Sequence, residues 1–160
     1  MKQVFESENI RFVEVSESLV NEYLTMVNDY EHVGRLIGGA PKTYTVEKEI
    51  QWVRGKLEEK ATVWSMIEKN GDAFIGNIEL MDVHDGRGEL GIAITAAKQD
   101  RGFGTEAVSA LVRYGTERLG LDRIVLRTDP ANARAIHVYE KCGFRENDRS
   151  DGHVCMEIRE

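Results

Sequence analysis

The chain has almost nothing that would brace it covalently: two cysteines, Cys142 and Cys155, among 160 residues, and only two prolines. Neither cysteine has the paired spacing of a metal knuckle or a redox dithiol, so a disulfide framework and a zinc-built fold are excluded and no metal is expected. No run approaches the roughly 20 apolar residues that a membrane span requires. The opening Met1-Lys2-Gln3-Val4-Phe5-Glu6-Ser7-Glu8 is charged where a secretion signal would be apolar, so the expectation is a cytoplasmic protein with no membrane partner. Basic residues are also short, 21 against 28 acids for a formal charge of −7, and no segment is dense in lysine or arginine. That argues against a nucleic-acid backbone as partner and suits small cationic molecules.

Hydrophobic residues make up 41%, enough for a core without metals or disulfides, and no linker or repeat interrupts them, so residues 1–160 read as one domain. Ile10-Arg11-Phe12-Val13-Glu14-Val15 alternates as a half-buried strand, and Ser16 offers an N-cap to a helix carrying Leu19, Val20, Tyr23, Leu24 and Val27. Gly34, Gly38, Gly39 and Pro41 break the next stretch before Thr45 caps a helix with Ile50, Val53 and Leu57 on one face. Three β-rich runs follow, residues 62–68, 73–83 and 89–94, the first two joined across an Asn70-Gly71 turn. A helix from Thr105 to about Leu119, a strand over 123–128, a helix over 132–142 and a closing strand over 153–158 complete the pattern. That last strand would expose an edge through which a homodimer could form.

The chemistry is concentrated in Gln99-Asp100-Arg101-Gly102-Phe103-Gly104-Thr105, a glycine-rich turn between a strand and a helix. Backbone N–H groups at a helix start lack intrahelical partners and sit at the positive end of the helix dipole, so Gly102, Phe103, Gly104 and Thr105 read as an anion cradle, with Arg101 as an added cation. About thirty residues on, Asn132-Ala133-Arg134-Ala135-Ile136-His137-Val138-Tyr139-Glu140-Lys141-Cys142-Gly143-Phe144 forms a second strand-to-helix unit.

A QxxGxG turn followed at this distance by NxxAxxxYxxxGF resembles the GNAT superfamily of N-acetyltransferases, well over residues 60 to 160 and only generally before that. In style it is nearest the ribosomal-protein N-terminal and spermidine acetyltransferase branch. The resemblance implies an α/β domain with a mixed, mostly antiparallel sheet flanked by helices, acetyl-CoA as co-substrate, and acetyl transfer to a primary amine of a polyamine, a protein N-terminus or another small molecule. It places the pyrophosphate at the glycine turn, with Gln99 opening the motif. Pantetheine amides would lie along Ile92, Ala93 and Ile94, as an added strand would.

Transfer from a thioester needs an amine free of its proton and help for the departing sulfur: a lysine-like amine titrates near ~10.4 and a thiol near ~8.5. Tyr139 is the candidate acid, and Asn132 matches the asparagine that bonds the cofactor, while also suiting a helix N-cap. Glu79 and Glu89 are the candidate bases, Glu79 preferred, since alternation sets both opposite the apolar positions. Some members carry a glutamate five residues before the asparagine; Arg127 stands there in this chain. His137 falls on a different helix face from Tyr139, and Cys142 reads as a small buried hydrophobe. Two rivals stay open: a coenzyme-A-binding regulatory module without turnover, and a nucleotide-binding domain, disfavoured because no GKS/T follows Gly104.

Overall fold

The computed structural model describes residues 1–37 and 41–159. Its strands are β1 (Gln3–Glu6), β2 (Ile10–Glu14), β3 (Val63–Glu68), β4 (Phe74–His84), β5 (Arg87–Ile94), β6 (Arg123–Thr128), β7 (Arg145–Ser150) and β8 (His153–Arg159). Its helices are α1 (Val20–Val27), α2 (Arg35–Ile37), α3 (Val46–Glu59), α4 (Phe103–Glu117) and α5 (Ala133–Lys141). The strands hydrogen-bond in the order β1-β2-β3-β4-β5-β6-β8-β7, with β5 and β6 parallel. The expected mixed, mostly antiparallel sheet with helices is what forms. The chain gathers into two compact units: Met1–Ile78 with Ile92–Phe103, and Glu79–Gly91 with Gly104 onward, so β4 and β5 each contribute to both.

In the first unit β2 is buried on both faces. Val13 and Val15 join Leu19, Val20, Tyr23, Val53, Val63 and Ile67 in one cluster, which gathers the apolar stripes of α1 and α3. Phe12 carries Phe5 stacked at 4.3 Å, with Trp64 edge-on to Phe5 at 5.3 Å. Helix α3 begins where Thr45 Oγ1 accepts from the Lys48 N–H at 3.2 Å and ends at Lys60, which turns left-handed at φ 54°.

In the second unit the apolar run Ile124-Val125-Leu126 buries the centre of β6, which pairs with β8 along six residues from Arg123↔Arg159 to Thr128↔Val154. Helix α4 turns Ala107, Val108 and Leu111 inward. A Cβ on Gly115 would stand 3.2 Å from Ile124 Cδ1, so the helix rides close on that strand.

Several features differ from the sequence reading. The short β1 pairs with β2 ahead of the expected first strand. Strand β7 reads Arg-Glu-Asn-Asp-Arg-Ser, exposed throughout, and offers no apolar alternation by which to find it. Because β7 takes the edge, β8 lies between β6 and β7 and is not the exposed closing strand that was expected. Helix α4 starts two residues before Thr105. Gly34 ends a π-helical turn, Tyr30–Gly34, while Gly38 and Gly39 lie outside the described residues. Among the described residues no helix is long and apolar enough to cross a membrane.

Candidate active site

The β5–β6 ladder has three pairs and ends at Glu89↔Val125, yet β5 continues to Ile94, so Ile92, Ala93 and Ile94 run on beyond the last pair. Within the first unit their other flank lies against β4. The Thr95 N–H donates to the Ile75 carbonyl at 2.9 Å, and a Cβ on Gly76 would fall 2.0 Å from the Ala93 oxygen. Only glycine lets the two backbones meet this closely.

The turn after β5 is held by Gln99, whose Nε2 donates to the Ile94 carbonyl at 2.9 Å and the His32 carbonyl at 3.0 Å. Its amide is thus spent on positioning the loop. Asp100 and Gly102 are left-handed, φ 61° and 85°, and this reversal swings the chain into α4 with Gly102 exposed. Phe103 is buried, and the Arg101 guanidinium lies 5.7 Å from its ring centroid with the side chain otherwise in solvent. An exposed glycine without a Cβ, the first N–H groups of a new helix and one cation together fit a pyrophosphate.

In the second unit, Gly104 and Thr105 continue that helix. Cys142 at the end of α5 donates its S–H to the Thr105 carbonyl at 3.6 Å and accepts from Ser109 Oγ at 3.4 Å, tying the two helices together. Asn132 Oδ1 accepts from the Ala135 N–H at 3.2 Å and caps α5, the local role foreseen for it. Tyr139 packs edge-on to Phe144 at 6.1 Å. Burial, and secondarily the nearby Cys142, pushes its phenol up to about 12. Its hydroxyl has no hydrogen-bond partner among the described residues, so a protonated donor is left available. His137 is exposed.

The two carboxylates share one sheet face: a Cβ on Gly91 would meet Glu79 Cγ at 3.5 Å, and Glu89 lies two residues from Gly91 on the same strand. Glu89 pairs with Arg127 at 3.5 Å. This pairing engages the arginine that stands where some members place a glutamate. Nearby, Glu157 receives Arg159 at 3.1 Å and Arg123 at 2.7 Å, which hold it below the usual carboxylate range. An open pocket of about 450 Å³ on this unit is lined by Arg87, Glu89, Arg123, Val125, Arg127, Asp148 and Cys155.

Sequence reasoning passed over a polar chain inside the first unit. The Ser16 N–H donates to Tyr23 Oη at 3.2 Å, Tyr23 Oη and Ser65 Oγ lie 2.5 Å apart, and Ser65 Oγ donates to Asn77 Oδ1 at 2.8 Å. Tyr23 and Ser65 are both fully buried. The one signal was a serine within Val63-Trp64-Ser65-Met66-Ile67, a polar atom that such a strand must satisfy.

Residues 9–145 match the family model described as acetyltransferase (GNAT) domain. The chain belongs to that family. It is 30% identical over 95 residues to the spermidine N(1)-acetyltransferase of Vibrio cholerae, 58% of this chain and 53% of that one. The chain spans about half the length of the curated relatives it matches. A crystal structure of a GNAT-family acetyltransferase from Bacillus anthracis superposes with a TM-score of 0.84 at 18% identity, covering 96% of each chain. The Vibrio cholerae spermidine N-acetyltransferase in complex with CoA and spermine gives 0.76 at 19%, covering 94% of this chain and 95% of that one. At these identities the structural likeness speaks for the fold alone.

Proposed function

We propose that the protein is an N-acetyltransferase that moves the acetyl group of acetyl-CoA directly to a primary amine, with a polyamine as the foremost acceptor. The observation that carries this is the family match together with the cradle at residues 99–105. The acceptor class rests on the acidic balance of the chain and on the spermidine acetyltransferases among its relatives. Two cysteines without disulfides suit work in a reducing cytoplasm.

The pyrophosphate is bound by the N–H groups of Gly102 to Thr105 and by Arg101, and the pantetheine arm follows the backbone of Ile92 to Ile94. Glu79 takes the proton that the acceptor ammonium must lose, while Glu89 is engaged by Arg127. The amine nitrogen then bonds to the thioester carbon and sheds its second proton to solvent water, the carbon–sulfur bond breaks, and the electron pair leaves on sulfur. Tyr139 assists that departure. A phenol at about 12 against a thiol near ~8.5 makes complete proton transfer uphill by roughly 5 kcal/mol, so Tyr139 hydrogen-bonds to the developing thiolate while sulfur takes its proton from water.

The test is incubation with acetyl-CoA and a panel of spermidine, spermine, amino acids and N-terminal peptides, following thiol release and acceptor mass. An acetylated polyamine is the expected product. Cofactor bound but no acceptor modified anywhere in the panel would sink the assignment.

A further inference from the structure

We infer that Asn77 is a catalytic residue, whose side-chain amide donates a hydrogen bond to the thioester oxygen as the amine attacks, and that Tyr23 and Ser65 are positioning residues that aim it. This rests on the reading above that the thioester lies along Ile92–Ile94.

Counting protons fixes the direction of the buried chain. Ser65 has one hydroxyl proton and gives it to Asn77 Oδ1, so Tyr23 must be the donor to Ser65, and its own oxygen accepts from Ser16. Reversing the amide would have Asn77 donate to Ser65, leaving one hydroxyl proton, of the fully buried Tyr23 or of the fully buried Ser65, without an acceptor. The order is therefore Ser16 to Tyr23 to Ser65 to Asn77, each dipole aligned with the next. Burial pushes the Tyr23 phenol up, so this donor stays protonated across the working range.

The direction decides what Asn77 offers. Ser65 lies on β3, and β4 lies between β3 and β5. With Oδ1 drawn toward β3, the other branch of the planar amide, Nδ2 with its two protons, is turned to the β5 side. There β4 lies close against β5: Ile75 receives the Thr95 N–H, and Gly76 leaves room for the Ala93 carbonyl. Nδ2 has no protein partner among the described residues, and Asn77 is only half-buried, so the donor is open to a ligand. As the nitrogen–carbon bond forms, the carbonyl π electrons move to oxygen; when the carbon–sulfur bond breaks they return and the thiolate leaves. An oriented neutral donor stabilises the intermediate charge without taking a proton, and it sits two residues along the same strand face from Glu79.

Asn77→Asp separates this role from a structural one. The replacement is nearly isosteric and still accepts from Ser65, but it exchanges the N–H₂ for an oxygen. The expected result is a kcat lower by roughly 10²–10³-fold with KM for acetyl-CoA little changed. A second readout needs no turnover: with acetyl-CoA carrying ¹³C at the thioester carbonyl, difference infrared spectra should show the bound carbonyl stretch below its free value in the native protein. It should return toward the free value in Asn77→Asp and part of the way in Tyr23→Phe. Native-like kcat and an unshifted spectrum in Asn77→Asp would overturn the assignment while leaving the acetyltransferase standing. Failure of the native protein to bind acetyl-CoA at all would overturn both.

Discussion

Replacing Gly76 by alanine should loosen the protein, whereas the same replacement at Gly55 should tighten it. At Gly76 the new methyl carbon would lie 2.0 Å from the Ala93 oxygen and 2.9 Å from Ile94 Cα, both backbone atoms that no rotamer change can clear. A comfortable C···O contact is about 3.3 Å, so the β5 backbone must retreat by roughly 1.3 Å. Overpacking by one carbon in a tight core costs about 1–3 kcal/mol, and the upper figure applies where backbone must yield. For a chain of this length that is a fall in Tm of about 6–10 °C. Because Ala93 and Ile94 belong to the stretch assigned to pantetheine, the KM for acetyl-CoA should rise as well. Gly55 sits inside α3 with nothing within 4 Å of a Cβ, so alanine there removes unfolded-chain freedom and adds about 0.5–1 kcal/mol. Urea unfolding of the two variants at constant m measures both signs. An unchanged midpoint for Gly76→Ala would refute the close approach and the reasoning built on it.

Tyr139→Phe should lower kcat by at least tenfold while leaving the urea midpoint within about 0.5 kcal/mol, since the hydroxyl bonds to no described residue. With the phenol at about 12, activity of the native enzyme should show no falling limb from this group below pH ~11; a limb near 9–10 that vanishes in Tyr139→Phe would contradict the assignment. Glu49 is 7% exposed, its carboxylate has no partner among the described residues, and burial raises its pKa. Its folded value lies above its unfolded one, so stability falls as pH rises from about 4.3 through the folded value, and Glu49→Gln should be the more stable protein at pH 7 by on the order of 1 kcal/mol, the gain disappearing at pH 4. Equal pH–stability curves would show that the carboxylate is solvated. Arg127→Ala should cost at most about 1 kcal/mol, because its bond to Glu89 is an exposed one, and thermal melts at low and high salt should differ little between variant and parent.

The fold was legible wherever burial imposes a period. The alternation of Ile10 to Val15, the Asn70-Gly71 turn and the apolar run of β6 each gave an element within a residue or two. The glycine turn was legible because glycine at 102 answers a backbone demand, φ 85°, that other side chains meet with strain. Strand β7 was not legible, since an exposed edge strand needs only a neighbour with free backbone groups, and any polar sequence supplies that. The use of Gln99 on two carbonyls was hidden as well: a motif residue says that a position matters, not which atoms it holds. The Tyr23–Ser65–Asn77 chain joins positions 42 and 12 residues apart, and no local pattern relates them.

The polar hem of the sheet also governs how the molecule meets copies of itself. In a two-fold pairing of β7 centred on Asn147, Arg145 would face Arg149 and Glu146 would face Asp148, each charge set against its own sign. Centring on any of those four residues sets it against itself. The irregularity between Glu146 and Asp148 adds a local twist to the edge. Two-fold pairing of copies through this edge is therefore disfavoured, which leaves the protein free to meet its small partners.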